Sequence, residues 1–206
     1  MVPPAARIAR MLPARTFPSG VGSLVWWAER FLWDGERPEW TWVPLKSVGP
    51  IRFGQSKEEV SAALGESITG WDAKKYARWY PFDGVGIDTY YDQETQTLAA
   101  VAVDACRGPQ VSLDDTPLVG RLPSELEPWL EETASTLEDP TLPEYVDGLR
   151  FGPRGEPYLL SLGLVLRCQQ NGDHARCRPV FLAPQWAMRG QERIEDLIPD
   201  TEWLTY

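Results

Sequence analysis

The sequence predicts an α+β fold: two tandem helix-plus-antiparallel-sheet units forming one continuous sheet, with helices packed on one side. Three observations predict it. Two segments, Ser56-Lys57-Glu58-Glu59 and Ser124-Glu125-Leu126-Glu127, carry a helix-start signature and lead into apolar residues at helical spacing. Each helix is followed by short β-rich runs separated by turn residues, an order that occurs twice. The 19 prolines among 206 residues break the chain into short elements and exclude long helices.

Residues 1–42 read as an N-terminal lead-in and a Trp-rich short helix. The first 22 are rich in Pro and Arg, and Ser23 then stands as the cap of a helix carrying Leu24, Trp27, Ala28, Phe31 and Leu32 on one face. Asp34-Gly35 stops it, and Trp40 to Leu45 is an extended approach to the first unit, residues 43–105. There Ser56 accepts from the Glu59 amide while the Glu59 side chain reaches back. Val60, Ala63 and Leu64 give the buried face, and Gly65 supplies a left-handed stop. A helix of about nine residues follows, short enough to need tertiary packing.

Lys75–Pro81, Val85–Tyr91 and Leu98–Val103 read as an antiparallel meander, with Asp92 to Gln96 as a polar turn. In the middle strand Val85, Ile87, Thr89 and Tyr91 share one face. Residues 106–184 form the second unit. Its helix starts at Ser124, keeps Pro128 in the first turn and presents Trp129, Leu130 and Leu137 on one face. Tyr158–Gln170 and Ala175–Ala183 are strands around an Asn171-Gly172-Asp173 turn. Residues 185–206 hold a C-terminal helix over Gln191–Ile198 and a tail.

Charge is unevenly spread. The formal net charge is −10, and from Ser112 to Leu149 ten acids face one base, Arg121. Such a field repels nucleic acid and anionic membrane and attracts basic partners. A solvated, solubilising face is the alternative. No run approaches the ~20 apolar residues that span a bilayer, and the basic N-terminus lacks the apolar segment of a secretory signal. A cytoplasmic location follows as an expectation, with reduced thiols at Cys106, Cys168 and Cys177. Cys168 and Cys177 fall directly opposite each other if the hairpin loop is Gly172-Asp173, and do not if it is Asn171-Gly172.

The stretch Ile51-Arg52-Phe53-Gly54-Gln55-Ser56-Lys57-Glu58-Glu59-Val60, closing with Leu64-Gly65, resembles the helix-start motif of the beta-lactamase inhibitor proteins. It is also similar to the related unit of outer-membrane assembly lipoproteins. Gln55 stands where those motifs carry Met. The wider pattern, clear over 43–105 and looser over 110–184, is similar to actinobacterial proteins that include immunity proteins of polymorphic toxin systems. The resemblance implies a helix-on-sheet fold used for protein binding, and carries over no catalytic residue.

Reactive groups are sparse. The one histidine, His174, sits beside Asp173 in a polar hairpin turn, so a Ser/His/Asp or Cys/His site has no second imidazole to draw on. Asp83 with Asp88, or Asp92 with Glu94, are the carboxylate pairs open in principle to acid/base or metal chemistry; solvated turn positions account for most of these acids. Gly84-Val85-Gly86 precedes a strand and does not fit a phosphate loop. Lys74 to Tyr80 interleaves bases with aromatics, a pattern that packing and local ion pairing explain on an acidic chain. No catalytic residue, metal or cofactor is assigned.

The expected function is a non-catalytic protein-binding module, an immunity protein or inhibitor that neutralises a basic toxin domain by occlusion. Glu127, Glu131, Glu132, Glu138 and Asp139 would steer the partner, with Trp129 or Tyr90 as an aromatic anchor. Trp129 also fits a plain core position. The alternatives are a scaffold or adaptor in a bacterial assembly and a carboxylate- or metal-dependent enzyme.

Overall fold

The computed structural model describes residues 31–68, 70, 72–73, 77–137, 148–152, 155–171 and 173–197. The Pro/Arg-rich lead-in, most of the expected Trp-rich helix and the tail after residue 197 lie outside them. After a single 3-10 turn at Asp34–Glu36 come β1 (Glu39–Val43), β2 (Ser47–Val48), β3 (Ile51–Arg52), α1 (Lys57–Leu64), β4 (Asp72–Ala73), β5 (Ala77–Phe82), β6 (Ile87–Asp92) and β7 (Leu98–Val103). Then follow β8 (Gln110–Leu113), β9 (Thr116–Pro117), α2 (Pro123–Leu137), β10 (Arg150–Phe151), β11 (Pro157–Leu159), β12 (Leu164–Asn171), β13 (His174–Leu182) and α3 (Pro184–Leu197).

The α+β class is the one found. Its strands, however, divide between two sheets where one was expected. An eight-stranded antiparallel sheet runs β10-β11-β12-β13-β7-β6-β5-β4, and a five-stranded sheet runs β3-β2-β1-β8-β9. In the smaller sheet β1 and β8 pair in parallel, with Glu39 beside Gln110, Trp40 beside Val111 and Thr41 beside Ser112. Seventy residues separate these partners, a pairing that no local pattern announces.

The helices also differ from the one-sided arrangement. Val60 of α1 and Leu126, Leu130 and Ala134 of α2 bury into one core with Val101, Val103 and Phe181. Trp186 and Ala187 of α3 pack with Ala100, Ala102 and Val180, the residues that alternate with those on β7 and β13. The two helix layers therefore cover opposite faces of the large sheet. The cause is visible in β7: Leu98–Val103 is apolar at every position and fully buried, so both of its faces need cover.

Local signals fare better. Ser56 Oγ accepts from the Glu59 amide at 3.3 Å, Glu59 Oε2 accepts from the Ser56 amide at 2.8 Å, and Gly65 ends α1 in the left-handed region (φ 67°). Of the expected buried face, Val60 is buried, Leu64 half-buried and Ala63 exposed. α2 starts earlier than its Ser124 signal: Pro123 opens it, and Glu125 Oε2, not a Ser124/Glu127 box, accepts the Leu122 amide at 3.0 Å. Pro128 thus falls inside the helix, in its second turn. α3 begins at Pro184, seven residues before the expected Gln191.

Gly49 ties the smaller sheet together. It adopts φ 56°, and a Cβ there would lie 2.3 Å from the Trp40 ring, so only glycine lets the β2–β3 turn sit against that indole.

Candidate functional site

A cleft of about 790 Å³ opens on the smaller sheet, lined from the 3-10 turn, β1, β8, β9 and Arg121. Strand alternation builds it. Trp42 and Val111 turn into the core, which leaves Glu39 and Thr41 on the outer face of β1 beside Ser112 of β8. The β8–β9 hairpin closes in two residues, Asp114 and Asp115, at φ 48° and 64°. Both lie in the left-handed region that a type I′ turn demands, a geometry Asp tolerates better than most residues. The hairpin therefore raises two adjacent carboxylates at its tip.

Four acids and one base line the cleft: Asp34, Glu39, Asp114 and Asp115 against Arg121. Arg121 is already engaged in an ion pair with Asp34, whose other oxygen accepts from Gln110 Nε2 at 2.9 Å. Gln110 is held in turn by the Val111 and Val119 amides. Glu39, Asp114 and Asp115 are exposed and, among the described residues, make no ion pair. Below the cleft the Arg37 guanidinium is 5% exposed and donates to the carbonyls of Leu32, Ala105, Cys106 and Gly108, which fixes the loop between β7 and β8.

The acids expected to steer a partner are placed as follows. Glu127, Glu131 and Glu132 are exposed on α2, where Glu127 and Glu131 are like charges one turn apart. Glu138 and Asp139 lie outside the described residues. Trp129 is half-buried against the core. Tyr90 is 1% exposed and packs beside Ala100 and Trp186, so it offers no free surface for an anchor. Its place on the polar-looking face of β6 suggested exposure, but α3 covers that face.

The carboxylates considered for chemistry serve the fold. Asp88 accepts from Trp79 Nε1 at 2.8 Å and pairs with Arg178, which also lies 3.8 Å from Asp104. Asp92 Oδ2 accepts from Trp186 Nε1 at 3.0 Å and Arg189 Nη1 at 2.9 Å, while its Oδ1 accepts from the Glu94 and Thr95 amides. Burial alone would raise the Asp92 pKa, but these donors outweigh it and hold the group below its ordinary value. Asp104 behaves alike: burial opposes ionisation, and Gln169, Arg178 and the Arg107 and Cys106 amides reverse the balance. Asp83 and Glu94 are exposed, and His174 is exposed at the start of β13. Among the described residues no three His, Cys, Asp or Glu side chains gather closely enough to hold a metal ion.

Cys168 and Cys177 are direct cross-strand partners, because Asn171 pairs with His174 and sets that register along β12 and β13. The Cys177 amide donates to Arg121 O and its carbonyl accepts from Gly120, so this pair is of the non-hydrogen-bonded kind. Both thiols are free, and burial, with Cys168 and Glu125 nearby, pushes Cys177 up to about 12.

Fold and cleft together define an α+β protein with an acidic, polar recess on its smaller sheet. Comparison with protein-family models, curated proteins and solved structures finds no match. No helix among the described residues is long and apolar enough to cross a membrane.

Proposed function

We propose that the chain is a non-catalytic protein-binding module that works in the cytoplasm as an immunity protein, neutralising a basic toxin domain by occlusion. One observation carries this reading: Glu39, Asp114 and Asp115 converge on one cleft and, among the described residues, make no ion pair, its Arg121 being paired with Asp34. Unpaired like charges oppose one another, and a Lys or Arg from a partner relieves that repulsion while donating hydrogen bonds to the Thr41 and Ser112 hydroxyls. The exposed Glu127, Glu131 and Glu132 of α2 extend the negative field that steers such a partner. The free thiols fit a reducing compartment.

The test is a search for a toxic domain encoded next to this chain, and, with that domain as partner, association followed by stopped-flow fluorescence across ionic strengths. Wild type is expected to associate faster as salt falls. The triple variant Glu39→Gln/Asp114→Asn/Asp115→Asn should lose most of that dependence yet stay folded, because Asn accepts the left-handed turn at least as well as Asp. A salt-independent rate in wild type, or one unaltered by the variant, contradicts the assignment of this cleft.

A further inference from the structure

A second pocket lies on the large sheet, away from the acidic stretch of the sequence, and has the opposite electrostatic character. It encloses about 180 Å³ between the start of α1 and the β5–β6 strands, and Lys57, Arg78, Tyr80 and Tyr91 are among its lining residues. The start of α1 supplies amides. Ser56 satisfies Glu59 and Val60, so Lys57 and Glu58 keep N–H groups with no intrahelical acceptor, at the positive end of an eight-residue helix.

An independent observation concerns Tyr91. Its side chain lines the pocket and is 2% exposed, yet its hydroxyl meets no hydrogen-bond partner. Burial raises the phenol's pKa; the Thr89 hydroxyl, which opposes that rise, already donates to the Tyr80 carbonyl, and among the described residues no group meets Tyr91 Oη with good geometry. A buried phenol without an acceptor is a cost that a bound acceptor would remove. Arg78 is exposed, and among the described residues its guanidinium has no ion pair or hydrogen bond. Lys57 sits 5.5 Å over the Tyr80 ring, which packs edge-on to Tyr91 at 5.3 Å, so its ammonium is held at the same rim. One carboxylate, Glu58, also lines the pocket; it is 72% exposed and 3.7 Å from Lys57, so water and that ammonium screen it.

We propose that this pocket binds a small oxyanion, a phosphate monoester or a carboxylate, with Arg78 and Lys57 supplying charge, α1 its first amides and Tyr91 a buried hydroxyl donor. The volume admits one such group and little else, and Lys57 and Arg78 outnumber the single carboxylate, Glu58, in a lining that also offers the Ser56 and Gln96 side chains. The site stands apart from the acidic cleft, so failure of either reading leaves the other intact.

Isothermal titration of the full chain with inorganic phosphate and with acetate, at fixed ionic strength, tests it directly. Saturable binding of either anion is expected, and the preferred one names the ligand class. Tyr91→Phe should weaken binding roughly tenfold while leaving the unliganded chain as stable as wild type or more so, since it deletes an unsatisfied group. Arg78→Ala, at an exposed position, should weaken binding at least as much. Dissociation constants above about 10 mM for both anions overturn the proposal. So does binding that survives both substitutions unchanged.

Discussion

Asp92→Ala is expected to cost about 3 kcal/mol, because one carboxylate at the end of β6 holds the β6–β7 turn and α3 together. The largest part comes from Trp186. Its indole N–H is wholly buried and donates 3.0 Å to an ionised acceptor, a bond of about 1.5–3 kcal/mol whose loss also strands the donor. The Glu94 and Thr95 amides lie in an exposed turn where water replaces the carboxylate, so each adds about 0.5 kcal/mol at most. Arg189 is half exposed and adds at most about 0.5 kcal/mol. Urea unfolding followed by tryptophan fluorescence reads the total. Trp186→Phe in both backgrounds isolates the indole bond, and a coupling of about 1–2 kcal/mol is expected. A loss below about 1 kcal/mol, or a coupling within about 0.3 kcal/mol of zero, refutes the reasoning.

Gly49→Ala should destabilise by about 2–3 kcal/mol, since it combines a left-handed backbone with a Cβ driven into the Trp40 ring; thermal unfolding with a shifted tryptophan emission is the readout. Stability should be complete above the ordinary aspartate pKa of about 3.9 and fall as pH drops through the lowered native values of Asp92 and Asp104. Asp104→Asn should flatten that acid limb, and a limb of unchanged slope contradicts the assignment. Oxidation with a small-molecule disulfide should join Cys168 to Cys177, read as a loss of two titratable thiols with no dimer, and stabilise the hairpin by about 2–3 kcal/mol. Reaction should be slow at neutral pH, because burial keeps Cys177 protonated.

The parts of this fold legible in the sequence are those fixed by neighbours. The Ser56/Glu59 box and Gly65 specify α1 within ten residues, and the apolar run Leu98–Val103 is β7 residue for residue. Distant partners decided the rest. The fully apolar β7 implied cover on both faces, a clue to α3 that the one-sided expectation passed over. β8 and β9 hide in Gln110-Val111-Ser112-Leu113 and Thr116-Pro117, too short for a period, and take their place from parallel pairing with β1. The cleft inherits that obscurity: Asp34 and Glu39 stand some 75 residues from Asp114 and Asp115, and only the paired strands bring them together. Asp114-Asp115 belongs to the acidic stretch, but nothing local marks it as a hairpin tip. Tyr90 misled for the same reason, since the helix that buries it lies about 95 residues downstream.

Growth rescue in cells expressing a basic toxic domain encoded next to this chain tests the proposed role most directly, and the absence of any such domain contradicts it. Co-expressed wild-type chain should restore growth, and the Glu39→Gln/Asp114→Asn/Asp115→Asn variant, matched for folded protein, should restore it poorly. Equal rescue by the two, or none by wild type at matched expression, contradicts it.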